Sequence, residues 1–210
     1  GFKMTTKCIK LAIDYMKDNK LDKNIFFKEL RDIQYKTYLA CNRAMTYYYT
    51  HDMQNMIAKE NNEVVKKDEE IYGKAFKSYV ANKISEILGD DITSYATDCI
   101  SQFVSNRYKN DKKQGLFKGN VTLSEFKRDI PVMLRERSYE IIETPKGLCI
   151  EIQFFKQDKL KKMGMKRGER IQFLFPKIDK SSKSTLINIM SKTYKQGGIQ
   201  LSYNQRKKKW

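Results

Sequence analysis

The spacing of hydrophobic residues changes along the chain, and each change marks a different kind of element. Residues 5–16 alternate between apolar and polar positions, which predicts an opening strand with one face toward a core. From about Asp22 the apolar positions fall three or four residues apart, which predicts a long helix reaching beyond Met56. The residues predicted on its buried stripe are Phe26, Leu30, Ile33, Thr37, Cys41, Ala44, Met45 and Tyr48.

Two more helices are predicted after a charged stretch at residues 60–70 that is typical of a loop. One runs from Ile71 to Leu88, with Gly89 as a left-handed residue at its end. Asp90 and Asp91 are suited to begin the next helix. Its predicted buried face consists of Ile92, Tyr95, Ala96, Cys99 and Phe103. Its predicted solvent face consists of Ser94, Thr97, Ser101, Ser105 and Tyr108.

The alternating pattern returns after a basic, glycine-containing connector at residues 109–120. Two strand-like runs flank the turn residues 145–147, Pro-Lys-Gly, which predicts a hairpin. Residues 170–178 predict another strand, and residues 182–192 predict one short helix. The final residues, 197–210, predict a strand that leads into a hairpin turn.

These elements define an α+β protein. A single opening strand would leave an unpaired edge, so we expect it to pair with the later strands. The prediction is therefore an oligonucleotide-binding-like β-barrel built from residues 4–19 and 119–210, with a helical domain inserted at residues 20–118.

Charge divides the chain unevenly. Residues 1–104 carry 16 basic and 15 acidic side chains, a net charge of +1, whereas residues 105–210 carry 26 and 10, a net charge of +16. Such an excess of one sign is typical of a surface that binds a polyanion. No apolar run approaches the ~18 to 20 residues needed to cross a bilayer, so we expect an intracellular protein without a membrane partner.

The residues available for chemistry exclude most enzyme classes. His51 is the only histidine, which excludes multi-histidine metal sites and argues against a Ser-His-Asp or Cys-His nucleophile; we expect it on the surface near a helix end. The four cysteines lie far apart, which argues against a zinc ribbon or a disulfide framework. No carboxylate lies in an apolar strand that would hold Mg²⁺. We therefore predict no catalytic residue and no metal ligand.

Basic clusters with aromatic residues between them are typical of nucleic-acid-binding barrels. The basic candidates for binding are Lys127, Arg128, Arg135, Arg137, Lys166, Arg167, Arg170, Arg206, Lys207 and Lys208. The aromatic residues among them are Phe126, Tyr139, Phe154, Phe155, Phe173, Phe175, Tyr194 and Tyr203. For any single aromatic residue a place in the core is the more frequent outcome, because alternating strands bury half of their side chains.

The segment KMGMKRGER, residues 162–170, contains a basic pair between two glycines. Gly164 and Gly168 would let the backbone approach a phosphate while Lys166 and Arg167 neutralise it. The segment lacks the Walker pattern, so an ordinary basic turn explains it equally well.

The order of several segments resembles one protein family. TLSEFKRDIPVML (residues 122–134) follows a serine-bearing helix and precedes a long sheet region that ends in YKQGGIQLSYNQRKKKW. The segment QYKTYLACNRAMTYYY (residues 34–49) is similar to the family's first helix. Together they resemble the N-terminal half of the miniature type V-F CRISPR effector nucleases, Cas twelve f, which are related to TnpB nucleases.

The resemblance implies a separate role for each part of the chain. In that family the barrel is the wedge domain, the helical insertion is the recognition domain, and a nuclease domain with three metal-binding carboxylates follows. The resemblance thus implies that the chain is a truncated fragment of an RNA-guided DNA endonuclease and ends at Trp210, before the nuclease domain. The fragment is expected to have no catalytic activity and no cofactor, because Mg²⁺ would bind only to the missing domain. Some relatives carry an N-terminal zinc finger, and this sequence shows none.

The implied function is binding of a guide RNA and recognition of the short duplex motif beside the DNA target. Phe126, Lys127 and Arg128 match the family's basic segment beside nucleic acid. Asn42 and Arg43 match polar positions of the first helix, although ordinary exposure explains them as well. The candidates for reading the adjacent motif on the third helix are Ser94, Tyr95, Thr97 and Ser101, for which a solvent face or a dimer interface is the alternative.

Further partners and alternatives remain open at this point. The resemblance implies guide RNA and target double-stranded DNA as partners, a homodimer through the near-neutral helical domain, and the cytoplasm of a bacterium or archaeon. A complete, non-nuclease regulator that binds nucleic acid, such as a repressor, is the alternative function. A self-sufficient enzyme is a third reading, which would require metal-dependent cleavage by this chain alone.

Overall fold

The fold is α+β, with a helical first half and antiparallel strands mostly in the second. The computed structural model describes residues 6–210. The helices are α1 Lys23–Glu60, α2 Asp68–Tyr72, α3 Phe76–Leu88, α4 Ser94–Lys113, α5 Gln157–Lys162 and α6 Lys180–Met190. The strands are β1 Asp14–Tyr15, β2 Val132–Leu134, β3 Tyr139–Thr144, β4 Gly147–Ile152, β5 Ile171–Leu174 and β6 Ile199–Leu201.

Two antiparallel sheets are formed by the described strands. The larger has the order β1-β5-β4-β3, and the smaller pairs β2 with β6. The predicted hairpin is confirmed, because β3 and β4 pair from Tyr139↔Ile152 to Thr144↔Gly147. Within residues 6–210 the strands do not close into a barrel.

The opening strand does pair with a distant later strand, as expected. Asp14 lies opposite Leu174 and Tyr15 lies opposite Phe173 in β5. The predicted length was wrong, because residues 6–13 have no regular secondary structure, and residue 5 of the predicted strand lies outside the described residues. Alternating hydrophobicity alone does not make a strand where no neighbouring backbone is available to pair with it.

A side chain continues the contact where β1 stops. The Asn19 amide donates to the Gln172 carbonyl at 2.8 Å, and the Gln172 N–H donates to the Asn19 side-chain oxygen, also at 2.8 Å. Asn19 therefore binds both backbone groups of one residue in β5, much as a strand residue would.

Helix α1 confirms the predicted apolar stripe. All the predicted stripe residues are buried except Tyr48, which is partly exposed. The Asp22 carboxylate accepts from the N–H groups of Asn24 and Ile25, which satisfies donors that the first helical turn leaves free. No residue after Met45 in this helix is buried, so its C-terminal part extends beyond the main core.

An aromatic cluster joins the first half of α1 to the larger sheet. Phe26 is fully buried, and its ring centroid lies 5.2 Å from that of Phe154 and 5.6 Å from that of Phe173. Tyr15 from β1 packs on the same ring at 5.3 Å. The helical and β regions therefore share one continuous apolar core.

The region between α1 and α4 contains one more break than the sequence pattern predicted. The predicted helix from Ile71 is divided into α2 and α3 by Gly73, which has a φ of +73°. Helix α4 extends to Lys113, into the predicted connector. Helix α5 was not predicted at all, because its six residues contain a single buried side chain, Leu160, and so lack a helical period.

The faces of α4 were assigned incorrectly from the sequence. Its fully buried stripe is Ala96, Ile100, Val104 and Tyr108. Tyr108 was predicted on the solvent face, and so were Ser101 and Ser105, which are buried as well. The reason is that α4 packs against α1, α3 and β2 at once, so two adjoining faces are covered. Cys99 and Phe103 lie at the edge of this contact and are partly exposed.

His51 is not a free surface residue. Its ring stacks on Phe76 with centroids 4.0 Å apart, and its Nδ1 lies 2.9 Å from the Tyr72 hydroxyl. Its Nε2 lies 3.5 Å from an Asp68 oxygen. These contacts join the middle of α1 to α2 and to the start of α3, so a structural role explains the single histidine.

Candidate nucleic-acid interface

A segment at residues 124–130, which turns at Arg128 and Asp129, crosses the helices before β2 and carries two of the basic candidates, Lys127 and Arg128. Three side chains hold its backbone. Asp111 on α4 accepts from the N–H and the hydroxyl of Ser124, both at 2.7 Å. On α1, the Asn42 amide exchanges two hydrogen bonds with the backbone of Phe126, and Gln34 donates to the Ile130 carbonyl at 3.0 Å.

The Asn42 contact is the most specific of the three. Its Nδ2 donates to the Phe126 carbonyl at 3.0 Å, and its Oδ1 accepts from the Phe126 N–H at 2.8 Å. Both functional atoms of the amide are therefore used inside the protein. This places Asn42 as a positioning residue for the segment, whereas its neighbour Arg43 is exposed.

Cations and aromatic rings lie together along this segment. The Arg128 guanidinium lies 5.6 Å from the ring centroid of Tyr35 and 5.9 Å from that of Tyr38. The Arg107 guanidinium lies 5.8 Å from the ring of Phe126. Lys127 and Arg128 are exposed, and neither has a carboxylate within ion-pair distance among residues 6–210.

A shallow cleft of about 350 Å³ opens beside these residues. Its lining consists of Tyr38, Glu125, Phe126, Lys127 and Arg128. Phe126 is partly exposed and packs on Phe103 with centroids 5.3 Å apart. We call this feature the Tyr38–Arg128 cleft.

Arg135 lies in a different environment from the other basic candidates. It forms ion pairs with Asp98 at 3.1 Å and with Glu136 at 2.9 Å. The hydrogen bond from Arg135 lowers the pKa of the Glu136 carboxyl, and the same pair raises the pKa of Arg135. Arg135 is thus already neutralised, whereas Arg137, two residues further on, is exposed.

Two backbone amides of the loop at residues 162–170 already donate to side chains of the protein. Gly164 and Gly168 both have a φ of +73°, as a tight turn requires. However, the Lys166 N–H donates to the Glu169 carboxylate at 2.8 Å, and the Gly168 N–H donates to the Gln157 side chain at 3.0 Å. The first acceptor lies within the loop and the second lies on α5, so neither amide is free for a phosphate, which favours the basic-turn alternative over a phosphate cradle. The side chains of Lys166 and Arg167 are exposed.

Arg170 faces carboxylates rather than open solvent. It lies 3.6 Å from Glu140, and a neighbouring pocket of about 380 Å³ is lined by it and by Asp18, Glu151 and Glu169. This surface therefore has little attraction for a phosphate.

The basic residues near the C-terminal end of the chain occupy a turn. Asn204 and Lys209 exchange backbone hydrogen bonds of 2.6 and 3.3 Å, as the predicted hairpin turn requires. Arg206, Lys207 and Lys208 are exposed between them. Trp210 is partly exposed, and its ring packs on Tyr203 with centroids 5.5 Å apart.

The four candidates on α4 for reading an adjacent motif differ in exposure. Ser94 is exposed, whereas Tyr95 and Thr97 are partly exposed. Ser101 is buried, and its hydroxyl has no hydrogen-bond partner among the described residues. Ser101 is therefore not positioned to reach a base edge from the surface.

Several surface residues of the cleft region were missed by sequence reasoning. Tyr35 and Tyr38 lie beside the buried stripe of α1, where nothing in the periodicity distinguishes them from other flanking positions. Arg107 lies four residues after Phe103 on α4, so helical spacing explains why its guanidinium contacts that ring at 5.9 Å. Five of the aromatic candidates belong to the core instead, namely Tyr139, Phe154, Phe155, Phe173 and Phe175.

Other kinds of site receive no support from residues 6–210. They contain no group of three or more His, Cys, Asp or Glu side chains arranged to hold a metal ion. None of the helices in this part of the chain combines the length and the apolar character needed to cross a bilayer. No protein-family model matches the sequence, and comparison with curated proteins gives no significant match.

Proposed function

We propose that this chain binds nucleic acid, and specifically that it is the guide-RNA-binding and adjacent-motif-recognising part of a compact RNA-guided DNA endonuclease of the type V-F kind. Under this proposal the sheets and the segment at residues 124–130 correspond to the wedge domain, with its oligonucleotide-binding-like character. The helices correspond to the recognition domain. The chain itself binds rather than cleaves, in the cytoplasm of a bacterium or archaeon.

One observation carries the proposal. The net charge of +16 in residues 105–210 includes exposed cations that have no carboxylate partner among the described residues, notably Lys127, Arg128, Arg137, Lys166 and Arg167. By contrast, Arg135 and Arg170 have partners. Unpaired cations repel one another unless an anionic partner neutralises them, and nucleic acid supplies that charge at regular spacing.

The resemblance supports the more specific part. The segment that carries Phe126, Lys127 and Arg128 is one of several whose order and spacing resemble the effector family. Its backbone is held by Asn42, another residue that matches the family. The pairing of an opening strand with a distant later strand also agrees with a wedge domain that is discontinuous in sequence.

Binding measured across a salt series tests the proposal. The probes are a guide-type structured RNA from the same genetic locus and a random RNA duplex of equal length. We expect the logarithm of the association constant to fall steeply with the logarithm of salt concentration between about 50 and 200 mM, since each neutralised phosphate releases counterions. We also expect tighter binding of the guide RNA than of the duplex.

A charge-matched pair of variants provides the control. Lys127→Gln with Arg128→Gln removes two unpaired cations, and the salt slope should decrease by about 1.4 to 1.8 if both contact phosphates. Lys36→Gln with Lys83→Gln removes the same charge from two cations that already pair with Asp32 and Glu86, and should leave the slope nearly unchanged. A flat salt response of the wild type would contradict the proposal. Equal affinity for both probes would favour a general nucleic-acid-binding regulator.

A further inference from the structure

One wall of the Tyr38–Arg128 cleft is the ring of Tyr38, which packs beside the ring of Tyr35 outside the lining. The centroids of Tyr35 and Tyr38 lie 6.0 Å apart with their planes inclined by 36°, and the Arg128 guanidinium lies within 6 Å of both rings. Tyr35 is 45% exposed beside the lining of the cleft. The structure thus keeps an aromatic surface accessible beside a cation.

The other side of the cleft is Phe126, and its position is fixed. Asn42 holds both backbone groups of Phe126, and its ring packs on Phe103 beneath Arg107. The two hydrogen bonds hold the Phe126 backbone against α1, and the contact with Phe103 supports its ring. Such preorganisation lowers the entropy cost of binding a flat ligand.

The charges at the cleft indicate what kind of ligand fits. Lys127 and Arg128 are exposed and unpaired among the described residues, while the one carboxylate in the lining is that of Glu125. Flat apolar surfaces next to cations suit a ligand that combines a π-face with negative charge. A volume of about 350 Å³ is near the lower limit of the typical range for small-ligand sites, about 300 to 1,000 Å³, and is too small for a double helix.

We propose that the Tyr38–Arg128 cleft binds one unpaired nucleotide of a single strand. The base stacks on Tyr38, toward Phe126, and the adjoining phosphate contacts Lys127 and Arg128. A paired base has both faces covered by its neighbours in the duplex, whereas a single strand exposes them. This inference rests on the proposed nucleic-acid-binding function and adds to it the form of nucleic acid that this cleft accepts.

The stack of Arg128 on Tyr35 and Tyr38 has a simpler explanation, which the test must distinguish from nucleotide binding. Arg128 over two tyrosines is also a common way to order a surface loop. In that case loss of the Tyr38 ring would loosen the segment and weaken binding of single and double strands alike. If a base stacks on Tyr38 instead, loss of the ring should weaken the affinity only for ligands that present an unpaired base.

Protein variants give the first test. The probes are a fluorescein-labelled single strand of about 12 nucleotides and the duplex of the same sequence. Tyr38→Leu should weaken binding of the single strand about 5- to 100-fold, leaving its salt slope and the duplex affinity unchanged. Tyr38→Phe retains the ring and should stay within about twofold of wild type. Arg128→Gln should instead reduce the salt slope.

A ligand change gives a second test that needs no variant. An abasic strand of the same length retains every phosphate and lacks every base, so wild type should bind it at least about fivefold more weakly than the intact strand. Tyr38→Leu should show a smaller preference between the two. Far-UV circular dichroism and the urea midpoint establish whether this variant is folded, and if it is not, the abasic comparison decides.

The outcomes distinguish the two proposals. Salt-dependent binding by wild type, with equal affinity for intact and abasic strands, would contradict nucleotide binding in the cleft. The proposed function would not be affected by this result. A folded Tyr38→Leu variant that loses no affinity, or loses it equally for the duplex, would have the same consequence. Absence of salt-dependent binding to any of the probes would overturn both.

Discussion

At the scale of single residues, two asparagines connect distant parts of the chain by imitating a strand partner. Asn19 binds both backbone groups of Gln172, and Asn42 binds both backbone groups of Phe126. One edge of an asparagine amide presents an N–H donor beside a carbonyl acceptor, nearly as a peptide group does. Each asparagine therefore binds the backbone of a distant residue through both its N–H and its carbonyl group.

Asn42→Ala should destabilise the protein by about 1 to 3 kcal/mol, because it leaves the N–H and the carbonyl of Phe126 without their partner in a partly buried place. Urea unfolding followed by circular dichroism measures this change. The affinity for nucleic acid should also fall, because Lys127 and Arg128 lose their fixed position.

A control with the same chemical change is available on α4. Asn106 is exposed, and among residues 6–210 its side chain forms one hydrogen bond, with Gln102, so Asn106→Ala should change the free energy of unfolding by less than about 0.5 kcal/mol. If the two variants unfolded at the same urea concentration, Asn42 would not hold the segment as described.

At the scale of elements, local signals located most helices but not their orientation or their breaks. The stripe of α1 was predicted correctly because a long amphipathic helix repeats its pattern many times. Helix α5 has six residues, too few for any period. The faces of α4 depend on how many neighbours cover it, and the serines on its second face resemble solvent-exposed residues in sequence.

The start of α6 provides a pH-dependent prediction. The Asp179 carboxylate accepts from the Ser182 N–H at 2.7 Å, and this hydrogen bond lowers the pKa of Asp179 below its ordinary value of 3.8. A lowered pKa in the folded state stabilises the protein above the unfolded-state pKa, and this contribution disappears as pH falls through the lowered value.

Asp179→Asn removes the charge and keeps a capping side chain, because asparagine is an equally good N-cap residue and does not titrate. Wild type should be more stable than this variant at about pH 6, and the difference should shrink as the pH falls below 3.8. Urea midpoints of both proteins across the pH range provide the measurement. A difference that stayed constant would show that the charge has no part in capping α6.

At the scale of the whole molecule, the helices and the larger sheet share one core. Phe26 from α1 contacts rings from three separate sequence regions, Tyr15, Phe154 and Phe173. A single core of this kind makes the parts unfold together in small proteins. The predicted boundaries of a separate helical domain, residues 20–118, stay a prediction.

Phe26→Ala should lower the free energy of unfolding by about 3 to 5 kcal/mol, because the ring is fully buried and leaves a cavity between α1 and the sheet. Urea unfolding should be followed by far-UV circular dichroism, which reports helix content, and by near-UV circular dichroism, which reports aromatic packing. The urea midpoints from the two signals should shift by the same amount. Phe26→Leu should show a smaller shift of the same kind. Separate midpoints for the two signals would contradict a shared core.

The interface was predictable only in part. Charge separation along the chain and the basic segment at residues 126–128 were visible in the sequence, because charge is a property of each residue. Whether a cation is free depends on what lies opposite, so nothing local distinguished the paired Arg135 from the unpaired Arg137. Likewise, the sequence did not single out Tyr35 and Tyr38, because the contact of both rings with the Arg128 guanidinium arises only in the folded structure.

The sequence by itself determined the α+β class, the long first helix, the central hairpin and the concentration of positive charge in residues 105–210. These properties arise from period, turn residues and composition, which act over a few neighbouring positions. The tertiary structure decided how much of the opening segment forms a strand, which faces of α4 are covered, and which cations and rings line the Tyr38–Arg128 cleft. Those outcomes depend on contacts between residues that are far apart in the sequence, such as Asn19 and Gln172, which are 153 positions apart, and a local pattern contains no information about such partners.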